Sequence, residues 1–287
     1  MGHLSPAMHR TTADLRPDPG LALCLSSSFF GYYAHLGLLA GLEERGLSPG
    51  RIAGASAGAM AGGLWAAGLR GAALQDMLFD PRFLRAFYEP GILVRGVGVL
   101  TGLAGSGFLS GRRMRRYLLS RLGEQRIEDL RNPRLEIAVS NLNTALPEIR
   151  DHGPLADFMV ASCAIPVLFQ AQEIGGESFV DGGVANESPF DHWLDDPTVH
   201  SIVVHRIRRG ADRRASRRWT PFGVVAACHG LAAEELQRRR REQAERSGKR
   251  LLFLETIHER PRVWHGGRAR GYFAAGRKTA REAVLSM

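Results

Sequence analysis

Short apolar runs and helical patterns alternate along the first third of the chain. Residues 21–25 form an uninterrupted apolar run, which is typical of a buried strand. Leucines recur at helical spacing over residues 32–45, and a glycine and a proline then end the predicted helix. Residues 51–54 form a second short strand, and residues 57–69 form an alanine-rich helix. Strand, turn and helix repeated in this order predict a parallel α/β sheet.

The same patterns continue to the end of the chain. They predict strands at 135–141, 178–180, 201–207 and 251–257, and helices at 111–122, 154–164, 221–246 and 272–286. Seven glycines stand among apolar residues at 90–111, and glycine at that density predicts a mobile apolar loop. The helix at 111–122 is amphipathic, with Met114, Leu118 and Leu122 on its inward face.

Composition supports a folded protein. With 287 residues, of which 44% are apolar and 23% charged, the chain is long enough to bury a core. Three scattered cysteines exclude a disulfide framework and a zinc cluster, so we expect a cytoplasmic protein with reduced thiols. Residues 1–20 lack the apolar segment of a secretory signal and are predicted to be a disordered leader. Residues 21–287 are expected to form one three-layer α/β domain, with a central, mainly parallel sheet flanked by helices and a basic C-terminal part.

Positive charge is concentrated in one segment. The formal net charge is +9, and residues 205–250 carry 14 basic against five acidic residues, so the rest of the chain is balanced. Nearly all basic residues are arginines, which fits either a GC-rich genome or a basic surface. Arginine-rich stretches at 112–121 and 206–218 are either solvated faces or a surface for peripheral contact with an anionic membrane. The four arginines at 238–241 suit nucleic-acid phosphates, but no aromatic residues interleave with them, so nucleic acid is the disfavoured partner.

Residues 51–70 hold eighteen uncharged residues between two arginines and have two interpretations. By hydropathy the stretch is a short membrane helix. Its many glycines and few large apolar side chains instead favour a helix packed closely on a sheet. Within it, Gly54, Ser56 and Gly58 fit G-x-S-x-G after a strand and before a helix, which is the setting of a nucleophile elbow. Flanking glycines permit a sharp turn, and the helix N-terminus presents unpaired N–H groups beside Ser56.

A serine hydroxyl needs a base to take its proton, and Asp181 is the best candidate in the chain. It ends a predicted strand and precedes Gly182 and Gly183, so we expect its carboxylate to reach an open site at the carboxyl-terminal edge of that strand, where α/β folds bind ligands. An Asp-Gly pair is also common in turns, and on local spacing alone the turn role is favoured. The spacing by itself leaves both roles open.

Four motifs occur in a fixed order and carry a family resemblance. They are GASAG at 54–58, VSNLNT at 139–144, ASCAIPVLF at 161–169 and VDGGVANESP at 180–189. With them, the segment from 21 to 189, about 60% of the chain, resembles the patatin-like phospholipase family. The resemblance implies a Ser–Asp dyad, in which Ser56 is the nucleophile and Asp181 the direct general base for cleavage of lipid acyl esters. It implies no metal, no organic cofactor and no catalytic histidine, so His35 is expected to pack or hydrogen-bond and Asn186 to organise its loop.

The loop after the first strand departs from the family's pattern. The family carries G-G-G-x-[RK]-G there, and the backbone N–H groups of that loop form the oxyanion hole. The aligned residues here are Ser26, Ser27, Ser28, Phe29, Phe30 and Gly31. If the loop needs a positive φ at a former glycine position, a serine there is strained. If the loop does not need it, the backbone N–H groups of Ser27 and Ser28 can still donate to an oxyanion. Phe29 and Phe30 can instead form an apolar wall of a site that binds an acyl chain.

Two functions follow from this loop. The first, which we expect, is a serine acyl hydrolase of the phospholipase, lysophospholipase or esterase type that works through an acyl-enzyme. The alternative is a catalytically silent patatin-like protein that binds lipid or protein, because loss of one oxyanion donor typically lowers a rate by about 10²–10³-fold. The presence of both Ser56 and Asp181 favours the hydrolase.

Overall fold

The computed structural model describes residues 20–89, 98, 105–209, 221–258 and 268–285. Its strands are β1 Leu21–Leu25, β2 Arg51–Ala55, β3 Gly107–Leu109, β4 Arg134–Asn141, β5 Leu146–Arg150, β6 Val167–Phe169, β7 Gln172–Ile174, β8 Glu177–Asp181, β9 Ser201–Arg209 and β10 Arg250–His258. Its helices are α1 Tyr32–Glu43, α2 Ala57–Ala66, α3 Gly71–Leu78, α4 Pro81–Ala86, α5 Arg112–Leu122, α6 Leu155–Ser162, α7 Pro221–Arg246 and α8 Ala269–Leu285.

Eight strands form one mixed sheet in the order β10-β9-β1-β2-β4-β8-β7, with β5 also paired to β4. The five strands from β10 to β4 are parallel, whereas β8 is antiparallel to β4 and β7 is antiparallel to β8. Ala55 at the end of β2 pairs with Ala138, and Asp181 at the end of β8 pairs with Val139. The ends of β2 and β8 therefore meet at the same level of β4, although the strands run in opposite directions.

The two faces of the sheet pack against different elements. Leu21, Leu23 and Leu25 of β1 point into a large apolar core that includes α1 to α6 and α8. Ala22 and Cys24, which lie between these leucines, face the other side of the sheet, where they pack with Trp193 and with Ala244 of α7. Because side chains alternate along a strand and both faces are covered, the central strands are almost wholly apolar. This arrangement confirms the expected three-layer α/β fold with a mainly parallel sheet.

The structure corrects two of the predicted elements. The helix predicted at 57–69 ends at Ala66 and is followed by the short helices α3 and α4, which the sequence pattern did not indicate. Gly107–Leu109 is a strand paired with β6, so the end of the predicted loop at 90–111 is ordered. A Cβ on Gly107 would lie 2.2 Å from the Phe169 carbonyl oxygen, and this close approach of the two backbones explains the glycine. Residues 1–19, and residues 90–104 except 98, lie outside the described residues.

The uncharged stretch at 51–70 divides into β2 and α2, and nearly all of both is buried. This division bears out the interpretation as a helix packed on a sheet. None of the helices in the described part of the chain combines the length and the apolar composition that a bilayer crossing requires.

The four consecutive arginines of α7 are engaged within the protein. Arg238 and Arg239 pair with glutamates of the same helix. Arg240 donates to the loop that follows β8, and the Arg241 guanidinium lies 4.2 Å from the centre of the Phe253 ring. Each of the four side chains therefore has a partner within the chain.

The other arginine-rich stretches are engaged in part in the same way. In α5, Arg115 pairs with Asp157 and Arg121 pairs with Asp80. Residues 210–218 lie outside the described residues. For these paired arginines, the contacts match a solvated face tied to the protein's own carboxylates.

Candidate active site

β2 ends and α2 begins at Ser56, which lies on a sharp turn. The Ser56 backbone has φ +53° and ψ −115°, a strained conformation for a residue with a Cβ. A Cβ on Gly54 would lie 2.3 Å from the Gly58 carbonyl carbon, and a Cβ on Gly58 would lie 1.9 Å from the Leu25 carbonyl oxygen. Only glycine lets the strand, the turn and the helix approach so closely. The turn therefore has the form of a nucleophile elbow.

Ser56 and Asp181 are 125 residues apart in sequence and in hydrogen-bond contact. The Ser56 Oγ donates to Oδ2 of Asp181 at 2.7 Å, and the Gly183 N–H donates to Oδ1 at 2.7 Å. The Asp181 N–H donates to the Ala164 carbonyl, and its carbonyl accepts from the Ser140 hydroxyl. Both side chains of the pair are buried, with 6% of Ser56 and 4% of Asp181 exposed. The pair is thus held from several sides and shielded from water.

Asp181 ends its strand as expected, but the sequence did not indicate the direction of that strand. Because β8 is antiparallel to β4, its carboxyl end lies beside Val139, within the length of β4. Ser56, by contrast, follows the carboxyl end of the parallel strand β2. The two residues meet because opposed strands reach the same level of the sheet.

Burial controls the acidity of Asp181. Withdrawal from water raises the pKa of this carboxyl from 3.8 to about 7, while hydrogen bonds from Ser56 and Gly183 act in the opposite direction. A base whose pKa lies near the pH of the reaction is ionised in part and still binds a proton well. The Asp181 carboxylate can therefore accept the Ser56 proton near neutral pH.

Two further residues hold the Ser56 peptide and were not expected from the sequence. The Ser162 hydroxyl, at the end of α6, accepts from the Ser56 N–H at 2.8 Å and donates to the Ala138 carbonyl at 2.7 Å. The Cys163 thiol donates to the Ser56 carbonyl at 3.3 Å, and burial raises the pKa of this thiol so that it keeps its proton. The sequence feature that could have indicated these two residues is a serine followed by a cysteine at the end of an apolar helical pattern.

The loop at 26–31 lies beside the pair. A Cβ on Gly183 would lie 2.4 Å from the Ser27 hydroxyl oxygen and 3.1 Å from Oδ1 of Asp181. None of the three serines in this fully described loop has a positive φ, and Phe30, at φ +56°, is the residue that does. The serines therefore replace glycines without left-handed backbone strain.

Not all of the backbone N–H groups that were expected to donate to the oxyanion are free to do so. The Ser26 N–H is used in the pairing of β1 with β9, and the Ser27 N–H donates to the Glu187 carbonyl at 2.7 Å. The buried Ser28 hydroxyl turns toward Gly31, where a Cβ would lie 1.8 Å from it. Among the described residues, nothing accepts from the backbone N–H of Ser28. Of the backbone N–H groups of the three serines in this loop, the Ser28 N–H is thus the one that the described contacts leave available.

Comparison with known proteins identifies the family. A family model described as patatin-like phospholipase matches residues 23–193, about 60% of the chain. The chain belongs to this family. The patatin-like match includes both Ser56 and Asp181 and ends before β9, so that β9, β10, α7 and α8 lie beyond it.

The curated relatives that the chain matches are NTE family proteins. An uncharacterised member from Mycobacterium bovis and one from Mycobacterium tuberculosis are each 30% identical over 173 residues, which cover 60% of this chain and 45% of theirs. The chain thus spans less than half the length of these relatives. Among solved structures it is similar to VipD from Legionella pneumophila, with TM-score 0.43, 16% identity and coverage of 93% of this chain and 66% of that chain. For the type III effector protein ExoU the TM-score is 0.41 and the identity 12%, with coverage of 94% and 54%.

In this patatin-like chain, Asn186 and Arg240 organise the turn after Asp181. The Asn186 N–H donates to the Gly182 carbonyl at 2.8 Å, and its side-chain Oδ1 accepts from Arg240 at 2.8 Å. Its Nδ2 donates to Asp191 at 3.0 Å. A Cβ on Gly182 would collide with the backbone of β4, so the turn needs glycine there. Nothing local in the sequence indicated Arg240, which lies in the last third of the chain.

Proposed function

We propose that the chain is a serine acyl hydrolase that cleaves lipid acyl esters, with Ser56 as the nucleophile and Asp181 as its direct base. The observation that carries the proposal is the buried hydrogen bond of 2.7 Å between the Ser56 hydroxyl and the Asp181 carboxylate. It lies at a strained strand-to-helix turn, and the pKa of the base is raised to about 7. Membership in a lipid hydrolase family supports the substrate class.

The proposed reaction runs through an acyl-enzyme. The Ser56 oxygen attacks the ester carbonyl carbon while Asp181 takes the hydroxyl proton. The Ser28 N–H and the N–H groups at the start of α2 donate to the oxygen that becomes negative. The bond to the alcohol then breaks, and the alcohol leaves with the proton held by Asp181. Water attacks the acyl group in the same way, which releases the fatty acid and restores Ser56.

One observation favours the alternative, a silent patatin-like protein that binds lipid or protein. The Ser27 N–H is committed to the Glu187 carbonyl at 2.7 Å, so one donor of a full oxyanion hole is missing. Loss of one such donor typically lowers the rate by about 10²–10³-fold. The two functions therefore differ in whether Ser56 reacts at a measurable rate.

Labelling with a fluorophosphonate separates the two functions without a choice of lipid. We expect one covalent adduct on the wild-type chain by intact mass, because an activated serine displaces fluoride from phosphorus. Ser56→Ala is expected to give none, and Asp181→Asn to label at least about 100-fold more slowly, in line with loss of a general base. A folded wild-type chain without an adduct would assign the silent binding function instead.

We further propose that the protein is cytoplasmic and contacts an anionic membrane surface at the site. The three cysteines are free thiols, which fits a reducing compartment. Three exposed apolar side chains belong to the segments that contribute to the site: Phe29 is 42%, Val167 49% and Val184 41% exposed. We infer that they form an apolar rim that enters the membrane interface, where arginines of the protein add attraction to anionic headgroups.

Binding to vesicles tests the rim. We expect the chain to sediment with vesicles of phosphatidylcholine and phosphatidylglycerol, and Phe29→Ser to weaken binding by about tenfold, since burying a phenylalanine contributes about 1.5–3 kcal/mol. Ile257→Ser, at an apolar residue of the edge strand β10 that is 68% exposed, is the matched control and should bind as the wild type does. Equal binding of both variants would argue against a rim at the site.

A further inference from the structure

Two histidines outside the dyad form a fully buried pair. His35 on α1 and His205 on β9 are each 0% exposed, and their Nδ1 atoms lie 2.8 Å apart. The other ring nitrogen of His35, Nε2, lies 2.9 Å from the Ser26 carbonyl oxygen. The other ring nitrogen of His205, Nε2, lies 2.8 Å from Oγ1 of Thr256 on β10. All four ring nitrogens are thus used within one buried polar network.

Proton counting gives this network a direction. A carbonyl oxygen only accepts hydrogen bonds, so His35 Nε2 carries a proton and donates to Ser26. Burial lowers the pKa of His35 to about 4 and that of His205 well below its ordinary value, so both rings are neutral near neutral pH. Because a neutral ring carries one proton, His35 Nδ1 accepts from His205 Nδ1, and His205 Nε2 accepts from the Thr256 hydroxyl.

Thr279 of α8 completes the network. Its hydroxyl lies 2.7 Å from Oγ1 of Thr256. Because the Thr256 hydroxyl donates to His205, the proton between the two threonines comes from Thr279. The Ala275 carbonyl lies 3.1 Å from the same hydroxyl, and donation there would reverse the order and leave no proton between the two imidazoles. The ordered network therefore runs from α8 through β10, β9 and α1 to the residue that follows β1.

The network ends on the peptide that precedes the proposed oxyanion donor. The carbonyl of the Ser26–Ser27 peptide accepts from His35, and the N–H of the same peptide donates to the Glu187 carbonyl at 2.7 Å. This peptide plane is therefore held at both ends. The next N–H along the chain is that of Ser28, whose direction depends on the orientation of this plane.

We propose that His35 is a positioning residue, which orients the Ser28 N–H toward the oxyanion by holding the Ser26–Ser27 peptide. His205 and Thr256 fix the tautomer in which His35 can do so. The inference rests on the proposed hydrolase function and adds the residues that shape its oxyanion site. It gives a role to the segment beyond the family match, because His205 and Thr256 both lie there.

Two substitutions of His35 separate positioning from packing. A glutamine amide nitrogen reaches about as far as imidazole Nε2, so His35→Gln keeps a donor to Ser26. An asparagine amide nitrogen ends near the place of Nδ1, so His35→Asn loses that donor. The full-length variants are assayed for hydrolysis of p-nitrophenyl butyrate, with thermal unfolding recorded for each.

We expect His35→Asn to lower kcat by about 10–100-fold with KM within about twofold, since a misdirected donor loses part of what a full oxyanion donor contributes. His35→Gln should retain kcat within about threefold. Equal loss in the two variants, or a change in KM and Tm alone, would overturn the positioning role. Wild-type turnover that disappears in Ser56→Ala establishes the hydrolase first, and a silent wild type overturns both proposals together.

A second pair of variants covers the case in which His35→Asn does not fold. Thr256→Val keeps the shape of the side chain but removes the hydroxyl that donates to His205, whereas Thr256→Ser keeps the hydroxyl. We expect kcat to fall by about tenfold in the valine variant, with KM unchanged, and to recover in the serine variant, because a misdirected oxyanion donor loses only part of its effect. Equal kcat in the two variants would overturn the inference.

Discussion

Burial is the main influence on the pKa of the Asp181 carboxyl group. Loss of water raises its pKa to about 7, and the hydrogen bonds from Ser56 and Gly183 only partly offset that cost. Burial of the ionised Asp181 side chain, which is the form that accepts the Ser56 proton, therefore lowers the free energy of unfolding. Reactivity and stability are opposed at this one residue.

Asp181→Asn should stabilise the protein as the pH rises. The unfolded chain releases this proton near the ordinary pKa of 3.8, whereas the folded chain releases it near 7. Between these values the folded state binds the extra proton, so wild-type stability falls with pH by about 1.4 kcal/mol per unit. Relative to wild type, the asparagine variant should gain about 2 kcal/mol between about pH 5.5 and about pH 8 in urea unfolding.

Asp76→Asn is the control for that comparison, because Asp76 is exposed on α3. Its stability relative to wild type should not change with pH over the same range. A constant difference between wild type and Asp181→Asn would mean that the Asp181 carboxyl is not held at a raised pKa.

Among the elements, the end of α6 positions the elbow between β2 and α2. Ser162 bridges the Ser56 N–H and the Ala138 carbonyl, so one hydroxyl joins the elbow to β4. The elbow needs such support because Ser56 has φ +53°, a conformation that persists only where neighbours over-determine it. Contacts from α6 and β4 thus stabilise the strained turn between β2 and α2.

Ser162→Ala should destabilise the protein and slow labelling of Ser56. The substitution leaves the buried Ser56 N–H without its acceptor, which costs about 1–3 kcal/mol in the free energy of unfolding. The relaxed turn should lower the rate of fluorophosphonate labelling by about tenfold. Ser120→Ala, at an exposed hydroxyl that donates to the Tyr117 carbonyl, should change neither quantity. Wild-type labelling of Ser162→Ala would exclude this support.

At the scale of the whole molecule, the C-terminal third contacts the turn that follows Asp181. One sheet includes β9 and β10 together with the strands of the family match, and we propose that residues 21–287 form a single domain. Arg240 reaches from α7 to Asn186, in the turn after Asp181. The charge of that segment therefore has an internal role at this arginine.

Arg240→Met should slow labelling of Ser56 by several-fold and lower stability, because it removes charge-assisted hydrogen bonds worth about 1.5–3 kcal/mol. The Arg240 side chain is 12% exposed, so water replaces its contacts poorly. Arg239→Met, at a neighbour whose side chain is 71% exposed and paired with Glu235, should leave both quantities near wild type. Similar effects in the two variants would mean that α7 acts only through its general charge.

Much of this protein could be predicted from local sequence. Apolar runs and helical spacing placed the central strands and the long helices, because burial imposes those periods on neighbouring residues. The motif around Ser56 indicated its sharp turn, since Gly54 and Gly58 are required by backbone approaches within that turn and with β1. The position of Asp181 at the end of a strand was equally local.

The tertiary structure decided which of these residues meet, and how. Strand direction leaves no mark on hydrophobic period, so only the antiparallel pairing of β8 brings Asp181 to Ser56 from across the sheet. The fate of the Ser27 N–H depends on the Glu187 carbonyl, a contact between residues far apart in the chain. The raised pKa of Asp181 likewise comes from the surrounding packing that excludes water. Local energetics set the elements, whereas contacts between distant segments set the chemistry of the site.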